Sequence, residues 1–207
     1  LIDGLKKLEY RGYDSAGIAV SENGKTDVVK TKGRIKNLEE KLEEVGGLSG
    51  TVGIGHTRWA THGAPTDVNA HPHKGGNGRI TLVHNGIIEN YIELKTMLQK
   101  GGYVFVSETD TEVLAHLFDY YYKGDLLDAM VNVMKTVRGS YAVAILADDK
   151  PGTIIAARKD SPLIVGLGDG ENFLASDIPA VLKYTRDCYL LEDNQIAVLT
   201  KDNVTLY

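Results

Sequence analysis

The chain has 207 residues, of which 43% are hydrophobic and 25% are charged, and its formal net charge is −5. These values are typical of a folded globular domain and exclude a disordered chain. The acidic balance argues against nucleic acid or an anionic membrane surface as a partner, and no apolar run reaches the roughly 18–20 residues that a membrane-spanning helix needs. The single cysteine rules out an intrachain disulfide and favours a reducing, cytoplasmic location.

The first two thirds of the chain mix helical and strand-like patterns. Apolar residues at helical spacing predict helices over Leu1–Leu8, Ile35–Val45, Ile87–Leu98, Thr109–Tyr122 and Leu126–Val137. Short apolar runs predict strands at Ser15–Val20, Thr26–Thr31, Val52–Ile54 and Ile80–Val83. The dipeptide Asn23-Gly24 predicts a tight hairpin turn between the first two strands.

From Tyr141 onward the pattern changes to short apolar runs between turns. It predicts strands at Tyr141–Ala147, Thr153–Ala157, Leu163–Gly168, Phe173–Ser176, Tyr189–Leu191 and Ile196–Thr200, with a helical turn at Pro179–Lys183. Because strands and helices come in blocks rather than in strict alternation, the pattern favours an α+β fold over a doubly wound parallel sheet. We expect residues 1–207 to form a single domain in which helices cover a sheet.

Histidines concentrate in one quarter of the chain, which makes a metal site the first possibility to test. Five of the six histidines lie between residues 56 and 84, where Asp67 is the only carboxylate and His71-Pro72-His73 is the only tight pair. Zinc sites favour short paired spacings with cysteine or carboxylate support. The pattern therefore favours hydrogen-bonding histidines, and we expect neither a metal nor another cofactor.

The segment from His56 to Gly63 follows a predicted strand and contains Arg58 next to Trp59. An arginine at the end of a strand suits capture of a carboxylate or a phosphate, because its planar fork binds such groups through two hydrogen bonds. The alternative is an arginine that stacks on Trp59 as a brace on the surface.

The dipeptide Asn85-Gly86 stands between a predicted strand and a predicted helix, which indicates a strand–turn–helix unit. Gly86 can adopt positive φ, and the Asn85 amide can donate beside it, so the two residues suit an oxyanion hole. An ordinary hairpin turn is the alternative.

The segment from Ser107 to Glu112 opens a predicted helix. Thr109 and Glu112 have the spacing of a capping box, which places Asp110 in the first turn, where the helix dipole stabilises its charge. Helix capping alone explains this pattern. The functional interpretation is a carboxylate held ready for an ammonium group.

Cys188 is the only thiol, and it lies between Asp187 and an apolar run. Both neighbours disfavour the thiolate. We therefore do not expect Cys188 to be a catalytic nucleophile, and no other evident nucleophile is present.

Taken together, several motifs in a fixed order identify a family resemblance: Leu8 to Gly17, His56 to Gly63, Asn69 to His73, His84 to Gly86 and Ser107 to Glu112. They resemble the glutaminase domains of the glutamine–fructose-6-phosphate aminotransferases (glucosamine-6-phosphate synthases), which are class II glutamine amidotransferases. The resemblance covers essentially the whole chain. Amidotransferases that act on phosphoribosyl pyrophosphate share some of these motifs, but they are not expected to have the Trp-Ala-Thr-His-Gly loop.

The resemblance implies an N-terminal-nucleophile hydrolase fold, with two stacked antiparallel sheets between helical layers. It implies that Arg58 binds the α-carboxylate of glutamine and that Asp110 binds the α-ammonium group. It implies that Asn85 and Gly86 form the oxyanion hole. The remaining implied site residues are a mobile loop with Trp59, Thr61 and His62, and the supporting residues Arg11, His71 and His84.

The activity implied by the resemblance is hydrolysis of L-glutamine to glutamate and ammonia. The complete enzyme uses the ammonia to convert fructose 6-phosphate to glucosamine 6-phosphate in amino-sugar biosynthesis, and a homodimer of the full-length protein is expected. The family nucleophile is an N-terminal cysteine on a Gly-Ile-Val-Gly-type strand, whereas this chain starts after both, at Leu1. We therefore expect the chain as printed to be inactive, with sugar-isomerase domains beyond Tyr207.

Two alternatives stay open on the sequence. One is a glutaminase domain like that of amidophosphoribosyltransferases. The other, if no cysteine precedes Leu1, is a non-catalytic domain that binds glutamine.

Overall fold

The structure is a computed structural model that describes residues 1–207. The helices are α1 Ile2–Leu8, α2 Ile35–Glu44, α3 Tyr91–Lys100, α4 Asp110–Tyr121 and α5 Leu126–Thr136. The strands are β1 Ser15–Glu22, β2 Lys25–Lys32, β3 Val52–Arg58, β4 His73–Gly75, β5 Ile80–Ile88, β6 Gly139–Ala147, β7 Ile154–Lys159, β8 Ile164–Leu167, β9 Asn172–Ala175, β10 Asp187–Leu190, β11 Ile196–Leu199 and β12 Val204–Leu206. Short 3₁₀ turns occur at Glu9–Arg11 and Ile178–Ala180.

The strands form three antiparallel sheets. Sheet I has the order β2-β1-β3, sheet II has the order β12-β11-β7-β6-β5-β4, and sheet III has the order β10-β8-β9. Consecutive hairpins account for much of this order, as in the β1–β2 pair, where Glu22 lies opposite Lys25. The predicted turn at Asn23-Gly24 is confirmed, since both residues have the positive φ that such a two-residue turn requires.

Sheets I and III share one core with sheet II. Ala19 and Ile54 of sheet I and Val165 of sheet III pack in the same cluster as Ala144 and Ala156 of sheet II. Alanine at three of these positions lets the sheets approach closely. This core joins the sheets into two β layers.

Helices cover both outer faces of this sandwich. Helices α3, α4 and α5 contribute to the largest core, where Leu98 and Phe118 pack in one cluster with Ile145 of sheet II. On the opposite side, Leu5 of α1 and Leu38 of α2 pack in a cluster with side chains of sheet I. The arrangement is helix–sheet–sheet–helix, so the expected α+β four-layer fold is confirmed. None of the helices is long and apolar enough to cross a membrane.

The prediction of a strand–turn–helix unit at Asn85-Gly86 was wrong. Strand β5 continues through this dipeptide to Ile88, and helix α3 begins only at Tyr91. Residues 80–88 pair with β6 along their whole length, with Gly86 opposite Tyr141. The long ladder to β6 overrides the local turn preference of an Asn-Gly pair, and the two residues therefore lie on the rigid sheet.

Three further strands extend beyond the predicted limits or were missed. Strand β3 runs on from Ile54 to Arg58, because its residues pair with β1 as far as Ser15. The loop that follows β3 contains the short strand β4, whose His73 lies opposite Leu82 of β5. Strand β12 was also not predicted. Such three-residue strands are defined by their partners rather than by a periodicity of their own.

Candidate active site

One cavity of about 630 Å³ lies between the sheets and reaches α1. Nearly all residues predicted for the site line it, namely Arg11, Arg58, Trp59, Thr61, His71, His84, Asn85, Gly86 and Asp110. His62 does not line it, but its Nδ1 lies 3.9 Å from Asp110 Oδ1. Residues from distant parts of the sequence therefore converge on one place.

Arg58 is the last residue of β3, and its side chain is buried. Its Nη2 donates to the carbonyls of His62 and Gly63, and its Nη1 donates to Ala64 O at 3.4 Å. Burial lowers the pKa of Arg58. Since Trp59 is 62% exposed whereas Arg58 is only 4% exposed, the alternative of a surface brace was wrong.

The segment after Arg58 forms a loop that is fastened at both ends. Asp14 Oδ2 accepts a hydrogen bond from Ala60 N, and the Arg58 guanidinium holds the carbonyls at residues 62–64. Trp59 packs edge-on against Tyr13, with ring centroids 5.5 Å apart. The loop therefore lies at the cavity mouth, beside the guanidinium.

Asp110 is the first residue of α4 and is buried. Its Oδ2 accepts a hydrogen bond from Ile88 N at 2.9 Å, which ties the helix to the end of β5. The dipole of α4 favours a negative charge at this position. The cavity thus holds a cationic group at Arg58 and an anionic group at Asp110.

Half of the predicted capping box is present. Thr109 Oγ1 accepts from Glu112 N at 3.2 Å, as predicted. The Glu112 carboxylate instead accepts from Val106 N at 2.9 Å and from Ser107 N at 2.7 Å. Burial by itself raises the pKa of Glu112, but the nearby His116 ring, whose Nε2 lies 3.6 Å from Oε1, and hydrogen bonds from Ser107 and Val106 outweigh it and lower the pKa to about 2. Glu112 therefore orders the segment that leads into α4.

Asn85 and Gly86 lie side by side on β5 at the cavity wall. Gly86 has φ +124°, and a Cβ atom there would lie 2.1 Å from Ser140 O. Only glycine fits this backbone conformation and this close approach. Asn85 Oδ1 lies 2.7 Å from His56 Nε2, a contact between β5 and β3.

The histidines form a buried, hydrogen-bonded group. The rings of His56 and His71 stack with centroids 4.1 Å apart, and His84 Nδ1 lies 3.0 Å from Thr111 Oγ1. Burial lowers the pKa of His56 to about 4 and that of His73 to about 3. It also lowers the pKa of His71 and of His84. No group of three His, Cys, Asp or Glu side chains is arranged to hold a metal ion.

Two residues lie outside the core of the site, and one of them, Cys188, differs from expectation. Cys188 lies on β10, whose residues are all exposed, so the prediction of an apolar environment for its thiol was wrong. It does not line the cavity. Arg11 lies at the cavity, and its Nη1 is 3.6 Å from Asp177 Oδ2.

Neither His56 nor Asp14 is among the site residues predicted from the sequence. Both lie inside the motifs that carry the family resemblance, but nothing local marks them. His56 shares a strand face with Arg58 because side chains two positions apart point the same way. That alternation is the signal that would have placed its ring in the cavity.

Comparison with known proteins decides the family. The family described as "Glutamine amidotransferase domain" matches residues 56–183, which include Arg58, Asn85, Gly86 and Asp110. The chain belongs to this glutamine amidotransferase domain family. The geometry of this amidotransferase domain can therefore be interpreted with glutamine as the ligand class.

Relatives and solved structures agree with this assignment. The chain is 60% identical over 207 residues to the glutamine–fructose-6-phosphate aminotransferase [isomerizing] of Clostridium tetani and 57% identical over 206 residues to that of Thermus thermophilus. Each match covers all of this chain but only 34% of the relative. The chain therefore spans about a third of the length of these relatives.

Among solved structures, the glutamine phosphoribosylpyrophosphate amidotransferase from B. subtilis, complexed with ADP and GMP, has a TM-score of 0.85. It is 27% identical, and the match covers 100% of this chain and 45% of that one. A predicted glutamine amidotransferase from Pseudomonas aeruginosa has a TM-score of 0.60 at 14% identity, covering 92% of this chain and 86% of that one. The latter likeness supports the fold alone.

Proposed function

We propose that this domain hydrolyses L-glutamine to glutamate and ammonia. The observation that carries the proposal is the convergence of Arg58, Asp110 and the Asn85-Gly86 pair on one cavity. An α-amino acid presents a carboxylate and an ammonium group on one carbon, so it needs a cation and an anion close together. Arg58 and Asp110 supply these charges, and the substrate side chain then extends toward Asn85 and Gly86.

Arg58 keeps donors for a substrate although it holds the loop. A guanidinium has five N–H groups. Three carbonyls accept from Nη1 and Nη2, which leaves Nε–H and one N–H of Nη1. A carboxylate that accepts from either of these donors also lies beside the loop that Arg58 organises, so binding of substrate and order in the loop are coupled.

Asp110 is prepared for the ammonium group. Its Oδ2 is engaged by Ile88 N, whereas Oδ1 has only the distant His62 ring, at 3.9 Å. Oδ1 therefore remains an acceptor on a carboxylate that is buried and fixed in direction. Charge-assisted hydrogen bonds of this kind are the strong ones.

The proposed nucleophile is an N-terminal cysteine on a strand that enters between β3 and β9. Both are edge strands of their sheets, and successive residues of each line the cavity. Edge strands present unpaired N–H and C=O groups, so an extended segment placed here pairs with both and joins sheets I and III into one layer. Residues 1–207 alone are then expected to bind glutamine without hydrolysing it.

The proposed reaction follows from these groups. The α-amino group of an N-terminal cysteine has a pKa of about 7.7–8.0, which makes it a usable base for its own thiol. The thiolate adds to the side-chain amide carbon of glutamine, and Asn85 and Gly86 donate to the oxygen that becomes negative. The amine returns the proton to the leaving nitrogen, ammonia departs, and water hydrolyses the γ-glutamyl thioester to glutamate.

For the whole protein, we propose that the ammonia converts fructose 6-phosphate to glucosamine 6-phosphate. The relatives at 57–60% identity bear the name glutamine–fructose-6-phosphate aminotransferase, whereas the B. subtilis phosphoribosylpyrophosphate amidotransferase is 27% identical. The Trp-Ala-Thr-His-Gly loop at residues 59–63 points the same way. A homodimer and a cytoplasmic location stay predictions.

The test supplies glutamine labelled with ¹⁵N at its side-chain amide to the product of the complete gene. With fructose 6-phosphate present, we expect labelled glucosamine 6-phosphate and an equal amount of glutamate. Transfer of the label to phosphoribosyl pyrophosphate instead would support the alternative acceptor. Glutamine binding without any glutamate release would support the non-catalytic binding domain and contradict the proposal.

A further inference from the structure

The hydrogen bond between His56 and Asn85 joins the two β layers at the site. His56 lies on β3 of sheet I, and Asn85 lies on β5 of sheet II. The distance from His56 Nε2 to Asn85 Oδ1 is 2.7 Å, which is a short hydrogen bond for a neutral pair. Both residues also line the cavity. The reaction scheme above gives His56 no role.

The ring of His56 is held in one orientation by its surroundings. It stacks on His71 with an interplanar angle of 17°, and His71 in turn packs edge-on against His73 at a centroid distance of 5.0 Å. His71 Nδ1 accepts from His84 N at 3.4 Å, so the backbone of β5 fixes the partner ring. An imidazole in such a stack cannot rotate without moving its neighbours.

His56 is neutral at physiological pH. Burial lowers its pKa to about 4, and the nearby charges of His84 and Arg58 act in the same direction, whereas the hydrogen bond to Asn85 and the contact with the backbone of His84 act against them. A neutral imidazole carries one N–H, and the oxygen of an amide can only accept. The structure places Asn85 Oδ1, and not the NH₂ group, 2.7 Å from Nε2, and in this arrangement the single N–H of the ring lies on Nε2 and donates to Oδ1.

This donation decides which end of the Asn85 amide faces the cavity. The last torsion of an asparagine side chain is broad, so the oxygen and nitrogen exchange places at little cost when nothing distinguishes them. An oxygen turned into the cavity would repel the oxyanion, whereas the NH₂ group stabilises it. Holding the oxygen on His56 leaves the NH₂ group to the substrate.

We propose that His56 is a positioning residue of the oxyanion hole, which acts by holding Asn85 Oδ1 through its Nε2–H. The inference rests on the proposed glutaminase function and deepens it. Its effect belongs in the transition state, where the charge on the substrate oxygen develops, rather than in the binding of glutamine.

Two near-matched substitutions separate this role from simple packing. Glutamine at position 56 places its side-chain NH₂ where His56 has Nε2, whereas asparagine places it where His56 has Nδ1. In the complete gene product, we expect His56→Gln to keep kcat for glutamine hydrolysis within about tenfold, and His56→Asn to lower it by on the order of 10². KM is expected to change by less than about threefold in both.

A double-mutant cycle with Asn85→Ala completes the test. Without the Asn85 amide, His56 has nothing to orient, so His56→Asn is expected to lower kcat by less than about threefold in that background. Additive losses, equal losses for the glutamine and asparagine variants, or a rise in KM at constant kcat would overturn the positioning role. Absence of any glutamate release by the parent protein would instead overturn the proposed function, and the positioning role with it.

Discussion

Asp110 Oδ2 accepts a hydrogen bond of 2.9 Å from Ile88 N, so the helix that carries the anionic group is tied to the strand that carries Asn85 and Gly86. The bond uses one carboxylate oxygen and leaves the other for a ligand. The proposed substrate anchor and the proposed oxyanion hole are therefore held at a fixed separation.

This relationship makes Asp110→Asn an informative variant. An amide oxygen still accepts from Ile88 N, but the negative charge for the ammonium group is lost. We expect glutamine affinity to fall about 10- to 100-fold, since a hydrogen bond to a charged group contributes about 1.5–3 kcal/mol. Calorimetry measures this, with Asp128→Asn in the first turn of α5 as the control.

Glutaramate, which lacks the α-amino group of glutamine, sharpens that experiment. The variant and the parent are expected to bind it equally, because no ammonium group is present for Asp110 to hold. A similar loss of affinity for both ligands would contradict the assignment and indicate that the substitution disturbs the fold.

Arg58→Lys is expected to weaken glutamine binding by about tenfold or more, although the charge is unchanged. A lysine ammonium cannot reproduce the planar fork, and it cannot hold the carbonyls at residues 62–64 at the same time. Arg138→Lys is the matched control, because Arg138 is exposed and pairs with Glu93 away from the cavity. Equal affinities of parent and Arg58→Lys for glutamine would exclude the proposed role.

Asn85→Ala in the complete gene product is expected to lower kcat for glutamine hydrolysis by on the order of 10²–10³ with little change in affinity. An oxyanion donor acts chiefly in the transition state, so its loss appears in turnover. Steady-state kinetics alongside Asn132→Ala, which removes an amide on α5, provides the comparison. If turnover stays near that of the parent while binding collapses, Asn85 is a substrate anchor instead.

Buried histidines predict a specific acid sensitivity of the fold. His56 and His73 have pKa values of about 4 and about 3 in the folded protein, against 6.5 for an unperturbed histidine. Between pH 6.5 and 4.5 the unfolded chain therefore binds protons that the folded chain does not. As the pH decreases over this range, the free energy of unfolding is expected to decrease by up to about 1.4 kcal/mol per pH unit for each such histidine.

The range from pH 6.5 to 4.5 separates the effect of these histidines from that of Glu112. The pKa of Glu112 is lowered from 4.5 to about 2, so the stability that this carboxylate contributes is lost mainly as the pH falls below 4.5. Denaturant unfolding at pH 6.5, 5.5 and 4.5 measures the slope, and His56→Gln is expected to reduce it by the share of one histidine. Stability that does not change over this range would contradict the neutral, buried histidines.

The Asn-Gly dipeptides at residues 23–24 and 85–86 show what the sequence could and could not predict. Asn23-Gly24 forms the predicted hairpin turn, because the strands on either side pair with each other. Asn85-Gly86 lies inside a strand, because β5 pairs with β6, which begins more than fifty residues later. Local turn chemistry is identical in the two cases. The partner strand decides whether the dipeptide forms a turn or continues a strand, and that partner cannot be identified from the local sequence.

The site residues likewise divide into those that a local sequence pattern indicates and those that depend on contacts between distant strands. Asp110 in the first turn of a helix was predictable, since α4 has a strong local signal. Arg58 was predicted close to a strand end, but only the pairing of β3 with β1 carries that strand from Ile54 to Arg58. The contact between His56 and Asn85 joins residues 29 positions apart on different sheets, and no periodicity indicates it. The cavity between the edges of β3 and β9 likewise depends on sheet order, which the sequence does not reveal.

Glutamate release from L-glutamine by the complete gene product, before and after its N-terminal cysteine is changed to serine, tests the central claim most directly. We predict sustained release by the parent and by Cys188→Ser, because Cys188 is exposed and lies outside the cavity. We predict no release once serine replaces the N-terminal cysteine. Release that survives that change but disappears in Cys188→Ser would contradict the account and make Cys188 the nucleophile.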